Sequence, residues 1–476
     1  MKKITIILLA LVLIFALPVS AQDYQLDSEL IQKINYLNDE KVFEGLTELN
    51  LEFNKSFGFD KRLYLNPVFK LSYGENSEFD ELGFNEKLNE DKEYDFLKEA
   101  YFDFYLNNSD IRIGKQIVDW GSAYEMNPTD VVNPMDFTAA NPTDAELALP
   151  SVKTDYYFDF NTSLTGVVIG QHRASPIPNS LQTMVNSTGE DMISKKVYEG
   201  IYSTLIKEGY TESTAENEAN TYTSEIMKNN FTLNEAEEKE IEDFSDTPEL
   251  ALQFTRRNFK GYDLSLNYFR GYSDIPLITS DYDEVMKKIE KISTTYIDPT
   301  VDKSSEVASL DFGYKETQAL GFSGRGSLGD IGAWTEINYN HNEDDEKKID
   351  VVIGGDYTFE NNFYTVVQLF HRSYKDYEIN DVLEENDYEK LFNDENYLIL
   401  HGEIPFRSIH TLKGDIITDV EEKGYMVKPA VEFSLGNNYS LDLGVVIRSE
   451  QNEENNFSIL NMLAKEKAYL EFSWNF

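Results

Sequence analysis

The C-terminal end of the chain, Glu466 to Phe476, alternates between polar and apolar side chains. Its apolar positions are Ala468, Leu470, Phe472, Trp474 and Phe476. A period of two residues indicates a β-strand with one face in an apolar environment. The same period recurs in Tyr439 to Ile447 and in Tyr425 to Leu435. The sequence therefore predicts an all-β fold.

Fourteen further segments have this period, which brings the count to seventeen strands. They are residues 43–54, 62–73, 96–106, 109–118, 152–160, 163–171, 249–257, 261–271, 317–328, 331–341, 349–359, 362–373, 396–404 and 409–420. A bacterial barrel with both ends in the periplasm needs an even number of strands. One strand is therefore missing from the count, and residues 306–314 and Ile31 to Tyr36 are the two candidates for it.

The composition favours strands that cross a membrane. Mean hydropathy is −0.46, although 13% of the residues are aromatic. Barrel strands present only every second side chain to lipid, so they contain no continuous apolar run. Short connections such as Asn107-Asn108 alternate with long ones such as residues 119–151. We predict a transmembrane antiparallel outer-membrane β-barrel of about 16 to 18 strands, with long and partly helical extracellular loops.

The N-terminus has the three parts of a cleavable signal peptide. Lys2 and Lys3 precede an apolar run from Ile4 to Leu17, and Val19-Ser20-Ala21 is the cleavage site. The alternative is a retained anchor, but a spanning helix needs roughly 20 apolar residues. We predict a signal peptide over residues 1–21, an N-terminal periplasmic segment over 22–42 and a single barrel over 43–476. Within it, residues 172–248 form a long acidic loop that either caps the barrel or plugs its lumen.

Charge and motifs exclude several classes of protein. The net charge of −44 argues against nucleic acid as a partner. The chain has no cysteine, so it has neither disulfides nor thiolate metal sites. No HExxH or GxSxG motif occurs, and the five histidines lack the spacing of metal ligands. We therefore predict no enzyme activity, no cofactor and no metal site.

The turn at Asn107-Asn108 fixes the register of a hairpin over residues 96–120. Asp103 then lies opposite Arg112, and the polar face is assigned to the lumen. This predicted lumen face comprises Glu99, Tyr101, Asp103, Arg112, Gly114 and Gln116. The set is either a ladder that supports the wall or a charge pair that lines a pore.

Residues 119–151 contain the unit Asn-Pro-x-Asp three times, at Asn127 to Asp130, Asn133 to Asp136 and Asn141 to Asp144. Proline and Asn or Asp at these positions favour consecutive tight turns. A compact loop of this kind can fold inward and narrow a pore, or it can brace the rim. If it folds inward, it places acidic oxygens that suit cations near the path. The constriction candidates are Asp130, Asp136, Asp144 and Glu146.

Residues 97–137 resemble a known family. The segment LKEAYFDFYLNNSDIRIGKQIVDWGSAYEMNPTDVVNPMDF is similar to the signature hairpin of porin-like outer-membrane proteins that share a domain of unknown function, DUF1302. The matching residues are Gly114, Gln116, Trp120, Gly121, Asn133, Pro134 and Asp136, whereas Lys115 replaces the usual arginine. The resemblance implies an uncharacterised barrel, either a porin or an export partner, with no assigned substrate.

Three functions remain open from the sequence. The leading one is a channel in the bacterial outer membrane for passive diffusion of small hydrophilic solutes or ions, with a preference for cations. The second is an envelope structural or export-partner barrel for polymeric or apolar cargo, and the third is a barrel-embedded enzyme. The predicted partners are outer-membrane lipid, the permeating solutes or cations, and the barrel-assembly machinery. That machinery would read the terminal strand with its aromatic residues Phe472, Trp474 and Phe476.

Overall fold

The backbone pairs its strands into one closed sheet. The computed structural model describes residues 24–37, 41–74, 96–139, 145–177, 179–234, 248–298, 300–301, 305–376, 394–407, 409–421, 424–449, 460 and 466–476. Eighteen strands form an antiparallel sheet in which the last strand pairs with the first, with Trp474 opposite Leu30. The sheet is therefore a barrel without free edges, as a membrane requires.

The strands follow one another around the barrel in chain order, apart from three that form a separate small sheet. The barrel strands are β1 (Tyr24–Leu37), β2 (Val42–Ser56), β3 (Lys61–Gly74), β4 (Leu97–Tyr105), β5 (Ser109–Gln116), β6 (Leu149–Asp159), β7 (Thr162–Ile169), β9 (Glu249–Phe259), β10 (Tyr262–Tyr272), β13 (Glu316–Leu328), β14 (Ile331–Asn342), β15 (Lys347–Thr358), β16 (Tyr364–Lys375), β17 (Glu395–Phe406), β18 (His410–Asp419), β19 (Tyr425–Ser434), β20 (Tyr439–Arg448) and β21 (Lys467–Asn475). The small sheet contains β8 (Phe231–Asn234), β11 (Leu277–Ile278) and β12 (Ala308–Gly313).

The missing eighteenth strand is β1. It occupies Tyr24–Leu37, so the predicted periplasmic segment over residues 22–42 is wrong for most of its length. The alternation is interrupted in this strand because Ile31 faces Glu48 on the inward side, whereas Gln32 faces outward with Thr47. The other candidate, residues 306–314, contributes β12 to the small sheet and not to the barrel wall. Residues 1–21 lie outside the described part, so the signal peptide stays a prediction.

The two faces of the barrel wall differ in chemistry. Outward side chains include exposed aliphatic residues such as Ile353, Leu369 and Leu412. Aromatic residues collect near the short turns, where Phe59 and Phe160 are almost fully exposed. An apolar outer band bounded by aromatic residues is typical of barrels in the bacterial outer membrane, and this protein is one of them. Among the described helices, none is long and apolar enough to span a membrane.

Two long connections build a helical module at the end of the barrel opposite the short turns. Its helices are α1 (Asn179–Lys207), α2 (Glu212–Asn229) and α3 (Tyr282–Ile297). Thr211 and Asp281 cap the N-termini of α2 and α3 by accepting backbone hydrogen bonds. The buried core of the module comes from these three helices and β12, with Ile201, Ile226 and Ile292 fully buried. The module therefore has an apolar core of its own, and the role of the 172–248 loop as a cap or a plug stays a prediction.

Candidate functional site

The predicted register of the β4–β5 hairpin is confirmed for its central pairs. Asp103 lies opposite Arg112 and Tyr101 opposite Gly114. The predicted pair of Glu99 with Gln116 is not part of the β4–β5 ladder, which ends at Ala100 and Lys115, although Gln116 continues the pairing with β6 opposite Leu149. Glu99 instead accepts a hydrogen bond from the amide of Ile117 at 2.9 Å.

Asp103 is the centre of an ionic group on the inward face. Its carboxylate is 4% exposed and accepts hydrogen bonds from Arg112 Nε at 2.7 Å and from Arg62 Nη2 at 2.6 Å. The Arg112 guanidinium lies 3.8 Å from the centroid of the Tyr101 ring. Gly114 has φ +139°, and a Cβ there would come within 2.2 Å of the Ala100 carbonyl oxygen. Glycine is therefore required at position 114, because any larger residue would clash with the backbone of β4.

The base of the loop after β5 is held by Asn133 of the second Asn-Pro-x-Asp unit. Its Oδ1 accepts a hydrogen bond from the amide of Val118 at 2.7 Å. Its Nδ2 donates to the carbonyl oxygens of Leu147 at 2.7 Å and Gln116 at 3.3 Å. One asparagine thus joins both stems of the loop. Trp120, 4% exposed, packs in the same apolar cluster as Val167 and other inward residues of β7, β9, β10 and β13.

The Trp-Gly pair begins a tight reversal of the loop. Gly121 has φ +95°, and a Cβ would lie 2.1 Å from Asn127 Oδ1. Asn127 Nδ2 in turn donates to the carbonyl oxygen of Trp120 at 2.7 Å. The amide of Asp130 donates to the carbonyl oxygen of Asn127 at 3.3 Å, as expected for an Asn-Pro-x-Asp turn. This local geometry explains why glycine and asparagine occupy these positions.

The principal anchor of the loop is Glu336, an inward residue of β14 that is fully buried. Its Oε1 accepts hydrogen bonds from the amides of Ser122 at 2.5 Å and Ala123 at 2.9 Å. Its Oε2 accepts from the hydroxyl of Thr129 at 2.8 Å and from the amide of the same residue at 3.2 Å. A single carboxylate therefore satisfies three backbone amides of a loop that starts several strands away.

Further hydrogen bonds and one ion pair hold the loop against inward residues of β10, β16 and β19. Asn267 of β10 donates to the carbonyl oxygen of Thr129 at 3.2 Å. Gln368 of β16 accepts from the amide of Tyr124 at 2.8 Å and donates to its carbonyl oxygen at 2.6 Å. Lys428 of β19 forms an ion pair with Glu125 at 3.0 Å. Since all of these wall residues face inward, the loop lies within the lumen.

The four predicted constriction residues have different surroundings. Carboxylate oxygens of Asp130, Glu146 and Asp119 lie within 4.8 Å of one another, a set of oxygen donors that a hard divalent cation could use. Burial and the neighbouring Glu146 raise the pKa of Asp130 well above its usual value, and burial also raises the pKa of Glu146. Asp136 instead accepts hydrogen bonds from Thr138 in an exposed turn. Asp144 lies outside the described residues.

The terminal aromatic residues lie on the outward face, as their period indicates. Trp474 and Phe472 stack on Tyr439 of β20, with ring centroids 6.0 and 6.1 Å apart. The Phe476 ring lies 4.5 Å from that of Trp474 and its residue is 42% exposed. Recognition of this strand by the barrel-assembly machinery stays a prediction.

Sequence reasoning missed the wall residues that receive the loop, chiefly Glu336, Gln368, Asn267 and Lys428. Each stands at an ordinary inward position of an alternating strand, as many other polar residues do. Arg62 was missed as the second partner of Asp103. The alternation shows that these side chains face inward, but no local signal shows which of them meets the loop.

Comparison with solved structures finds barrels of the same length with little sequence identity. Pseudomonas aeruginosa OccK5 (OpdH) is 7% identical, with a TM-score of 0.49 over 95% of this chain and 97% of that chain. A BenF-like porin from Pseudomonas fluorescens Pf-5 is 10% identical, with a TM-score of 0.49 over 95% and 98%. The outer-membrane channel DcaP of Acinetobacter baumannii is 9% identical, with a TM-score of 0.43 over 95% and 97%.

No curated protein matches the sequence significantly. The family model described as "Protein of unknown function (DUF1302)" matches residues 45–452. This range includes the hairpin, the loop and every barrel strand from β3 to β20. The resemblance of residues 97–137 is thus confirmed over most of the sequence, and the chain belongs to the DUF1302 family.

Proposed function

We propose that the protein is an outer-membrane channel for passive diffusion of small hydrophilic solutes or ions. The observation that carries this proposal is the loop after β5, which is bound inside the barrel by Glu336, Gln368 and Lys428. A barrel of this strand number has an interior wide enough for an aqueous channel unless protein fills it. The loop contacts run along one side of the lumen, so the loop narrows the channel and leaves the other side open.

The chemistry of the opposite wall supports an aqueous path. Inward residues of β20, β21 and β1 to β5 form ion pairs such as Lys33 with Glu471 at 2.9 Å. Both side chains of that pair remain 28% exposed. Charged side chains at a partly exposed position are stable only when water solvates them, because removing a charge from water is costly. This wall therefore has the character of a surface that faces water.

The same wall supports a preference for cations. Among its described inward residues, ten acids stand against six bases. The acids are Asp27, Glu29, Glu44, Glu48, Glu52, Glu99, Asp103, Asp110, Asp442 and Glu471, and the bases are Lys33, Arg62, Lys70, Arg112, Arg448 and Lys467. An excess of fixed negative charge in a narrow, low-dielectric space raises the local concentration of cations.

The test is single-channel conductance in planar bilayers, combined with thiol labelling. Because the chain has no cysteine, Ser440→Cys and Leu441→Cys each introduce one thiol on the same strand. Position 440 faces inward and position 441 outward. We expect a charged, water-soluble thiol reagent to modify S440C and reduce its conductance, while L441C keeps its conductance.

Discrete current steps that respond to labelling of S440C support the channel. A purified, heat-modifiable barrel without current steps would contradict the proposal and favour the envelope structural or export-partner function. Labelling of L441C in place of S440C would show that the faces of β20 are assigned the wrong way round.

A further inference from the structure

We propose that His401 and Lys428 are positioning residues that hold the tip of the lumen loop, and that protonation of His401 tightens this hold. The loop tip is defined as residues 123–125. The inference deepens the proposed channel function and rests on it for its effect on conductance, but the contact between tip and wall can be tested separately.

The tip meets a connected group of side chains on β17 to β19. Lys428 Nζ lies 3.0 Å from Glu125 Oε1 and 3.8 Å from Asp415 Oδ2. The Tyr124 hydroxyl donates to Asp415 Oδ1 at 2.9 Å, and His401 Nδ1 lies 2.7 Å from the same oxygen. Asp415 therefore receives a hydrogen bond from the tip and contacts both wall bases.

This contact is enclosed and holds an unusual backbone conformation. The side chains of Glu125 and His401 are each 11% exposed, and that of Lys428 is 16% exposed. Glu125 has φ 58°, in the left-handed region that residues other than glycine rarely adopt. Its side-chain contacts are therefore needed to keep the tip in place.

The charged groups around His401 lie on its own strand β17, on β18 and β19, and on the loop tip. The acids are Asp415 of β18 at 2.7 Å, Glu403 of its own strand at 3.8 Å, and Glu125 of the tip. The base is Lys428, which lies beside Asp415. The phenol rings of Tyr124 and Tyr364 also lie close to His401, with centroids 5.2 and 6.0 Å from the imidazole.

The charge of the wall that faces Glu125 depends on His401. With neutral His401, Lys428 stands against two wall carboxylates, and the wall carries a net charge of −1. With protonated His401, the net charge is zero, and the repulsion of the acidic tip is removed. Histidine is the side chain whose charge changes near neutral pH. The tip is therefore held more firmly at mildly acidic pH and released more readily as the pH rises.

Thiol labelling of the tip tests this inference without relying on channel activity. Ala123→Cys introduces a thiol at the tip, and S440C on the other wall serves as reference because thiolate formation itself rises with pH. We expect the labelling rate of A123C, divided by that of S440C, to rise about threefold from about pH 6 to about pH 8. The single-channel conductance of the wild-type protein should also rise over the same pH range.

Three further variants identify the titrating group. His401→Gln removes the titration but keeps an amide beside Asp415, so the normalised labelling rate should no longer depend on pH. His371→Gln changes an exposed, outward histidine of the neighbouring strand and should behave as wild type. Lys428→Met makes the wall more acidic and should raise the rate at both pH values.

The outcomes separate this inference from the proposed function. A pH-dependent labelling ratio that H401Q abolishes and H371Q preserves supports the inference, even if no current is observed. A ratio that does not change with pH, or that changes equally in H401Q, overturns it, even if the protein conducts. The presence or absence of current steps decides the channel function alone.

Discussion

The two sides of the lumen show how differently inward positions can be used. On β15 to β18, inward residues such as Val352, Val366 and Ile417 are apolar and fully buried. On β20, β21 and β1, inward residues such as Asp442, Glu471 and Lys33 are charged and partly exposed. Barrel strands normally alternate between an apolar outward face and a polar lumen face. Where the inward face is also apolar, the strand is covered by protein, and here it is covered in part by the loop.

The largest effect on stability is expected from removing Glu336, which anchors the loop on the covered side of the lumen. Glu336→Ala leaves the amides of Ser122, Ala123 and Thr129 without their buried acceptor. We expect a loss of about 3–5 kcal/mol in the free energy of unfolding, measured by urea titration in lipid vesicles.

Glu471→Gln on the open side is the matched control. It weakens a partly exposed ion pair with Lys33 of β1. The cost should stay below about 1 kcal/mol. Equal losses in the two variants would remove the distinction between the two walls.

The next largest loss of stability is expected from substitutions in the ionic group formed by Asp103, Arg62 and Arg112. Asp103→Asn leaves two guanidinium groups without their carboxylate and should cost about 2–4 kcal/mol. Exchanging the charges in D103R/R112D restores only the β4–β5 pair, because Arg62 then faces a new arginine. The double variant should therefore recover part of the loss in urea titration. Complete recovery would show that Arg62 contributes nothing to the group.

A smaller, pH-dependent effect is expected at Asp130. Its pKa is raised in the folded protein, so its stabilising contribution is present below the usual carboxyl pKa and is lost as the pH rises through the raised value. Asp130→Asn imitates the protonated form and should make the folded loop more stable than wild type only at the higher pH. Limited proteolysis across the pH range, with chelator present, measures this. A wild-type protein with equal protection at all pH values would contradict the raised pKa.

The smallest effect concerns selectivity. Replacing Asp130, Asp136, Asp144 and Glu146 by their amides removes negative charge from the loop but leaves the acidic wall of β1 and β2. The reversal potential in a salt gradient should therefore move only partly toward zero, and most clearly in dilute salt, because the screening length is about 3 Å at 1 M. An unchanged potential in dilute salt would place these carboxylates outside the permeation path.

The sequence was sufficient where a short turn or a regular period determines the structure. The faces of β19 to β21 and the pairing of Asp103 with Arg112 follow from alternation and from a tight turn. Strand β1 was only one of two candidates for the missing strand, because Ile31 and Gln32 interrupt its alternation. Local periodicity therefore predicts strands only when their two faces differ consistently.

The partners of the loop could not be predicted for a different reason. Glu336 lies more than 200 residues from Ser122, and it reaches the loop only because the barrel closes. Arg62 joins Asp103 across the long connection between β3 and β4, whose length leaves the register free. Contacts of this kind depend on the whole sheet, and no local pattern reveals them.

The central claim is that the loop narrows a water-filled lumen by covering one wall and leaving the other open. The most direct measurement is the single-channel conductance of wild type and of a variant in which residues 120–131 are replaced by a short Gly-Ser linker. We predict discrete wild-type currents and a conductance about threefold higher in the variant, with heat-modifiability of the barrel retained. An intact barrel with unchanged conductance would contradict the claim, because the loop would then not limit the path.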